Sequence, residues 1–64
     1  MIKDKRIAVV TGASSGLGKS ISIKLSLNDY HVVLASRNLN RLNQIADIIK
    51  SKKGSCTVVQ TDVT

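Results

Sequence analysis

The chain has 64 residues, one cysteine, one histidine and a formal net charge of +6, from ten lysines and arginines against four aspartates and glutamates. A chain this short buries only about 60% of the surface that its unfolded form exposes. It also lacks the cysteine pairs and clustered metal ligands that stabilise small domains. We therefore expect these residues to be part of a larger domain and not to fold stably alone. The basic residues lie before the first strand, at a helix end or singly along the chain, and each has a local explanation. No apolar run is long enough for a signal peptide or a membrane span. We therefore expect a cytoplasmic protein without a nucleic-acid or membrane partner.

An apolar strand and an amphipathic helix come first along the chain. Ile7 to Val10 form a short, mostly β-branched run, which predicts a buried parallel strand. Apolar residues then recur at four-residue intervals, which predicts a helix from about Leu17 to Asn28. The helix residues expected to face the sheet are Leu17, Ile21, Ile23, Leu25 and Leu27.

Three glycines, Gly12, Gly16 and Gly18, lie between this strand and this helix. Glycine permits positive φ and lets a ligand approach the main chain closely. A helix N-terminus also presents free backbone N–H groups and the positive end of the helix dipole. The segment therefore predicts a binding site for a pyrophosphate.

Two further strands are predicted from apolar runs. Tyr30 to Ala35 is nearly all apolar, as in a strand covered on both faces. We assign His31 a structural role, because it lies at the amino end of this strand and ligands bind at the carboxyl ends. Ser55 to Thr61 predicts the third strand, in which Cys56 is expected to be a small buried apolar residue.

A second helix is predicted between these two strands. Asn38 or Asn40 can cap its N-terminus, and Gly54 after a lysine-rich last turn is expected to end it. Apolar residues three and four apart predict one stripe facing the sheet. The stripe consists of Leu39, Leu42, Ile45, Ala46 and Ile49.

This order of elements predicts an α/β fold, namely the N-terminal β-α-β-α-β part of a doubly wound parallel Rossmann sheet, which is incomplete in these residues. Right-handed crossovers place both helices on one face of the sheet. The other face is then uncovered, so one of two alternating sets of apolar residues must face water. The first set is Ile7, Val9, Val32, Leu34 and Val58, and the second is Ala8, Val10, Val33, Ala35 and Val59.

The segment Thr11-Gly-Ala-Ser-Ser-Gly-Leu-Gly18 closely resembles the T-G-x-x-x-G-x-G cofactor loop of the short-chain dehydrogenase/reductase family. Its spacing differs from the G-x-G-x-x-G dinucleotide fingerprint. The resemblance implies that residues 1–64 are the N-terminal part of a single NAD(P)-binding Rossmann domain. The pyrophosphate and the helix start are expected to exclude side chains at Gly16 and Gly18. The loop residues that the resemblance implies in cofactor binding are Gly12, Ser14, Ser15, Gly16, Leu17 and Gly18.

A second motif overlaps this loop. Ala13 to Ser20 has the spacing of the P-loop, G-x-x-x-x-G-K-[ST], with Ala13 at the position of the first glycine. In this alternative, Lys19 and Ser20 would hold the phosphate and the magnesium ion of a nucleotide hydrolase. The missing glycine weakens the match, and both residues also fit an ordinary helix surface.

The end of the second strand carries the residues that would select the cofactor. An aspartate or glutamate there binds the ribose 2′-hydroxyl of NAD, whereas an arginine pairs with a 2′-phosphate. This chain has Ser36 and Arg37. In the family that it resembles, arginine at this position is associated with NADP(H), so Arg37 is expected to clamp the phosphate. Its structural alternative is an exposed charge beside the helix cap.

Asp62-Val63 is similar to the short acidic motif that follows the third strand in this family. The resemblance implies that the Asp62 carboxylate accepts a hydrogen bond from the adenine amino group and that the next backbone N–H meets the ring. A P-loop protein has no need of Arg37 and Asp62 at these positions.

The resemblance also implies the reaction, although not the substrate. Family members transfer a hydride between a nicotinamide and a carbonyl or alcohol, so we expect NADP(H), a small-molecule substrate and a homo-oligomer for the complete protein. Their catalytic Y-x-x-x-K is absent, because the single tyrosine is Tyr30 and Leu34 stands four residues on. No catalytic residue and no metal ligand is therefore predicted here, and the isolated chain is expected to be inactive.

Overall fold

The computed structural model describes residues 6–61, and the predicted order of elements is confirmed. The elements are β1 (Arg6–Thr11), α1 (Gly16–Ser26), β2 (Tyr30–Ser36), α2 (Leu39–Ser51) and β3 (Ser55–Gln60). The predicted adenine contacts of Asp62 and Val63 lie outside the described residues.

The three strands form one parallel sheet in the spatial order β1, β2, β3. Thr11 pairs with Ala35, and Ala35 pairs with Val59, so the carboxyl ends of the strands are level. Because each helix returns the chain to the opposite edge, the segments that follow the strands all emerge together. This edge is where the predicted cofactor residues lie.

Both helices pack on the same face of the sheet, as right-handed crossovers require. The core is formed by β2 and α2, with Ala13 from the glycine turn. Its buried members are Ala13, Val32, Leu34, Leu42, Ile45, Ala46 and Ile49. The other strands and α1 complete the core through the partly buried Val10, Ile23, Leu25, Cys56 and Val58.

The strand register corrects the grouping of the sheet residues. Ala8 and Val10 pair with Val32 and Leu34, whereas Ile7 pairs with His31 and Val9 with Val33. The face without helices therefore carries Ile7 and Val9 together with Val33, Ala35 and Val59, because side chains alternate across each strand. Ile7 is 69% exposed and Val9 is 63% exposed. An uncovered apolar face was correctly predicted, but each predicted set combined opposite faces of neighbouring strands.

The buried face of α1 also differs from the predicted one. Leu17 is 74% exposed, and Ile21 and Leu27 are exposed as well. The buried residues of α1 are Gly18, Ser22 and Ser26, with Ile23 and Leu25 partly buried. Each buried hydroxyl is satisfied within the helix, since Ser22 donates to the Gly18 carbonyl at 2.7 Å and Ser26 donates to the Ile23 carbonyl at 2.7 Å. Small side chains thus let α1 approach the turn and α2 closely.

The α2 stripe is confirmed with one exception. Leu42, Ile45, Ala46 and Ile49 are buried, whereas Leu39 in the first turn is exposed. Of the two predicted caps, the structure uses Asn38, whose Oδ1 accepts a hydrogen bond from the Arg41 N–H at 3.1 Å.

The end of α2 shows that Gly54 has a different role from the predicted one. The helix ends at Ser51, and Lys53 takes the left-handed conformation, with φ of 64°. The Gly54 N–H bonds to the Ile49 carbonyl, and the Lys53 N–H bonds to the Lys50 carbonyl, which is a Schellman motif with lysine in the glycine position. A Cβ at Gly54 would lie 2.8 Å from Ile49 Cγ2, so packing requires the glycine.

Candidate cofactor site

The turn between β1 and α1 is held by its own hydrogen bonds. Gly12 has φ of 65°, a conformation that side-chain-bearing residues rarely adopt. Ser15 caps α1, since its Oγ accepts from the Gly18 N–H at 3.0 Å and donates to the Gly12 carbonyl at 2.9 Å. The Ser15 N–H also donates to the Gly12 carbonyl, at 3.1 Å. Ser15 is therefore engaged in shaping the loop.

Gly16 and Gly18 have different surroundings. A Cβ on Gly18 would overlap the Gly12 carbonyl oxygen and lie 2.9 Å from Ala13 Cα, so the helix start packs directly on the turn. A Cβ on Gly16 would meet no atom of the described residues within 4 Å. Packing within the chain therefore explains why a side chain at Gly18 is expected to be excluded. At Gly16 only a bound ligand could exclude a side chain from the described structure.

The first turn of α1 supplies hydrogen-bond donors for an anion. The first N–H groups of a helix have no partner within the helix. In α1 the Ser15 cap occupies the Gly18 N–H, and within residues 6–61 no acceptor is paired with the N–H groups of Gly16 and Leu17. These two groups and the helix dipole favour a negatively charged group at this point.

A hydroxyl pair joins the turn to the end of β2. Ser14 Oγ and Ser36 Oγ lie 2.6 Å apart, and Ser36 is 9% exposed. The backbone reinforces this link, because the Ala13 N–H donates to the Ala35 carbonyl at 3.2 Å. Sequence reasoning assigned Ser14 and Ser36 to the site separately and missed their contact. The sequence does place Ser14 after β1 and Ser36 at the end of β2, and these two strands are neighbours in the sheet.

These segments border an open cleft of about 490 Å³ at the carboxyl edge of the sheet. Its lining residues are Thr11, Gly12, Ser14, Ser36, Arg37, Asn38 and Thr61. A second recess shares Arg37 and Asn38 with this cleft and is lined by Arg37, Asn38, Leu39, Asn40 and Gln60. The cleft therefore brings Gly12 and Ser14 of the predicted loop together with Ser36 and the exposed Arg37. The other predicted loop residues do not line it; they are Ser15, Gly16, Leu17 and Gly18.

The P-loop alternative finds no support in this geometry. Ser20 Oγ donates to the Gly16 carbonyl at 3.1 Å, so its hydroxyl is used within the helix. Lys19 is an exposed helix residue, and Ala13, at the position of the first glycine, is fully buried.

His31 lines neither the cleft nor the second recess. His31 joins β2 to β3, with Nδ1 3.0 Å from Ser55 Oγ and Nε2 2.8 Å from Thr57 Oγ1. Residues 6–61 contain no group of three or more His, Cys, Asp or Glu side chains that could hold a metal ion. Neither helix in this part of the chain is long and apolar enough to cross a membrane.

Comparison with known protein families decides between the two motifs. The model of the short chain dehydrogenase family matches residues 6–64. The chain belongs to the short-chain dehydrogenase family. The match includes the glycine turn, and the incomplete sheet corresponds to the N-terminal part of the family's Rossmann fold.

Individual members of the family agree with this assignment. An uncharacterised oxidoreductase of Staphylococcus epidermidis is 48% identical over 63 residues, which are 98% of this chain and 26% of that protein. A metagenomic short-chain oxidoreductase in complex with NADP superimposes with a TM-score of 0.86 at 35% identity, over 89% of this chain and 26% of that one. A 7α-hydroxysteroid dehydrogenase complexed with NADH and 7-oxo glycochenodeoxycholic acid gives a TM-score of 0.87 at 30% identity, over 92% and 23%. The chain spans about a quarter or less of the length of the relatives that it matches.

Proposed function

We propose that residues 1–64 form the cofactor-binding part of a single Rossmann domain in an oxidoreductase. The complete enzyme transfers a hydride between NADP(H) and a small carbonyl or alcohol substrate. Membership of the short-chain dehydrogenase family and the cofactor complexes of its structural relatives support nicotinamide chemistry. The general acid/base and the substrate pocket belong to residues outside this chain.

The pyrophosphate is proposed to bind at the glycine turn. Within residues 6–61 the N–H groups of Gly16 and Leu17 have no acceptor, and a Cβ on Gly16 would meet no atom within 4 Å. These N–H groups and the dipole of α1 favour the charge of the pyrophosphate, and the open space at Gly16 leaves room for it. Thr11, Gly12 and Ser14 line the adjoining cleft, which leads to the end of β2. The ribose is proposed to lie there, with the adenine near Asp62 and Val63.

The preference for NADP(H) is supported by one observation: the cleft ends at an arginine and not at a carboxylate. Arg37 is exposed and directly follows β2, the position at which a Rossmann fold contacts the 2′-position of the ribose. A guanidinium pairs with a phosphate through two parallel hydrogen bonds, whereas a carboxylate would repel it. Ser36 and Arg37 together are proposed to bind the 2′-phosphate.

Cofactor titration of the complete enzyme tests this proposal. We expect NADPH to bind more tightly than NADH, and Arg37→Asp to weaken NADPH by about 10- to 100-fold, the size of one charge-assisted hydrogen-bond pair. Lys24→Asp is the matched control, because it makes the same change in charge in the last turn of α1, at the other end of the helix from its cap. A wild-type preference for NADH, or an Arg37→Asp variant with unchanged NADPH affinity, would overturn the assignment.

The other properties expected from the sequence stay predictions. They are a homo-oligomeric assembly and a cytoplasmic location. The P-loop hydrolase is not retained, since the family match leaves it without support.

A further inference from the structure

Hydrogen bonds hold the last residue of β2, Ser36, and both residues of the segment that joins β2 to α2, Arg37 and Asn38. The Ser36 carbonyl accepts from the Thr61 N–H at 2.9 Å. Asn38 is fixed by its N–H bond to Ser36 Oγ, at 3.3 Å, and by its cap on α2. Between them, the Arg37 carbonyl accepts from Gln60 Nε2 at 3.2 Å. The backbone at Arg37 is thus held by a side chain from β3.

We infer that Gln60 is a positioning residue for cofactor choice, because its side-chain amide holds the peptide that follows Arg37. The inference rests on the proposed function. Gln60 is the last residue of β3 and is in register with Ser36, so its side chain lies beside the start of the Arg37 segment. It also lines the recess next to Arg37.

The consequence of this contact is geometric. The end of β2 fixes the peptide before Arg37 through the sheet, and Gln60 fixes the peptide after it. With both peptides held, the direction in which the Arg37 side chain leaves the backbone is set before the cofactor arrives. A backbone that is already ordered loses less conformational entropy when its side chain binds a phosphate.

This role affects the two nicotinamide cofactors differently. NADPH uses the Arg37 guanidinium, whereas NADH has no 2′-phosphate to meet it. A purely structural role of Gln60, such as support for the end of β3, would affect both cofactors equally. The ratio of the two affinities therefore separates a positioning role from a structural one.

The test uses the complete enzyme with Gln60→Met, which keeps the length of the side chain and removes the donor. We expect KM for NADPH to rise about two- to tenfold, the effect of one neutral hydrogen bond, with kcat and KM for NADH unchanged. Gln44→Met is the matched control, because Gln44 is exposed on α2 outside both recesses. The melting temperature of each variant reports its folding.

A double-mutant cycle with Arg37→Ala completes the experiment. If Gln60 acts through Arg37, Gln60→Met has no further effect on NADPH once Arg37 is removed. If Arg37→Ala loses NADPH affinity but Gln60→Met does not, the positioning role of Gln60 is overturned and the proposed cofactor stands. Equal losses for NADPH and NADH in Gln60→Met would also overturn it. An Arg37→Ala variant without effect on NADPH would instead refute the proposed cofactor, and with it this inference.

Discussion

Replacement of Gly18 by alanine tests the packing of the helix start on the glycine turn. The new Cβ would overlap the Gly12 carbonyl oxygen and lie 2.9 Å from Ala13 Cα, where ordinary contacts begin at 3.4 Å. Both opposing atoms belong to the backbone of the turn, so the first turn of α1 has to move away from Gly12 and Ala13. Overpacking of this kind costs about 1–3 kcal/mol. For a domain of 150–250 residues, that lowers the melting temperature by roughly 2–12 °C.

Gly16→Ala is the matched control for this prediction, because a Cβ at Gly16 meets open space within the described residues. We expect Gly16→Ala to melt at or slightly above the wild-type temperature, since alanine is the better helix former. Its NADPH affinity should nevertheless fall, because the added methyl group occupies the proposed pyrophosphate position. Gly18→Ala should lose both stability and affinity. Thermal denaturation and cofactor titration of the complete enzyme measure both effects. A Gly18→Ala variant with wild-type melting temperature would contradict the packing, and unchanged affinity in Gly16→Ala would contradict the pyrophosphate position.

Two further predictions concern the isolated chain and its cysteine. Expressed alone, the 64 residues should neither melt cooperatively as a monomer nor reduce carbonyls with NADPH, because the face that carries Ile7, Val9 and Val59 is uncovered. Leaving these three side chains largely unburied forfeits roughly 3–6 kcal/mol, against a total stability of about 5–15 kcal/mol for a whole domain; a cooperative monomeric transition in calorimetry would disprove this expectation. Burial raises the pKa of the Cys56 thiol above its ordinary value of 9.0, and Lys50 opposes this shift. The protonated thiol should therefore contribute to the free energy of unfolding below pH 9, the ordinary pKa. This contribution is lost as the pH rises through the higher pKa of the folded state. Iodoacetamide should label Cys56 more slowly in the native enzyme than in urea, as followed by mass spectrometry of its peptide, and equal rates would contradict the shift.

Local patterns were sufficient to predict the order of elements and the family to which the glycine turn points. Short β-branched runs between glycines and polar turns specify strands, and apolar residues three and four apart specify the α2 stripe. The Asn38 cap is equally local, because its side chain bonds an N–H three residues away. The loop could be recognised because its glycines and serines are needed at fixed spacing within one turn. Ser15, for example, makes its bonds to Gly12 and Gly18.

The buried face of α1 and the strand register were decided by the tertiary structure. A sequence pattern favours burial of Leu17 and Ile21, but contact with the turn and with α2 requires small residues, so Gly18, Ser22 and Ser26 face inward. The same need for close approach keeps Gly54 beside Ile49 and Ser26, while Lys53 takes the left-handed position of the helix end.

Contacts between distant segments were also beyond local prediction. The Ser14–Ser36 and Gln60–Arg37 bonds join residues that are 22 and 23 positions apart. Such pairs depend on how the strands are aligned, and a shift of one residue exchanges the two faces of a strand. The sequence by itself therefore determined which elements form and where the glycine turn lies. Only the packing of helices against the paired strands decided which side chains meet across the cleft, because that choice depends on the shape and size of both partners.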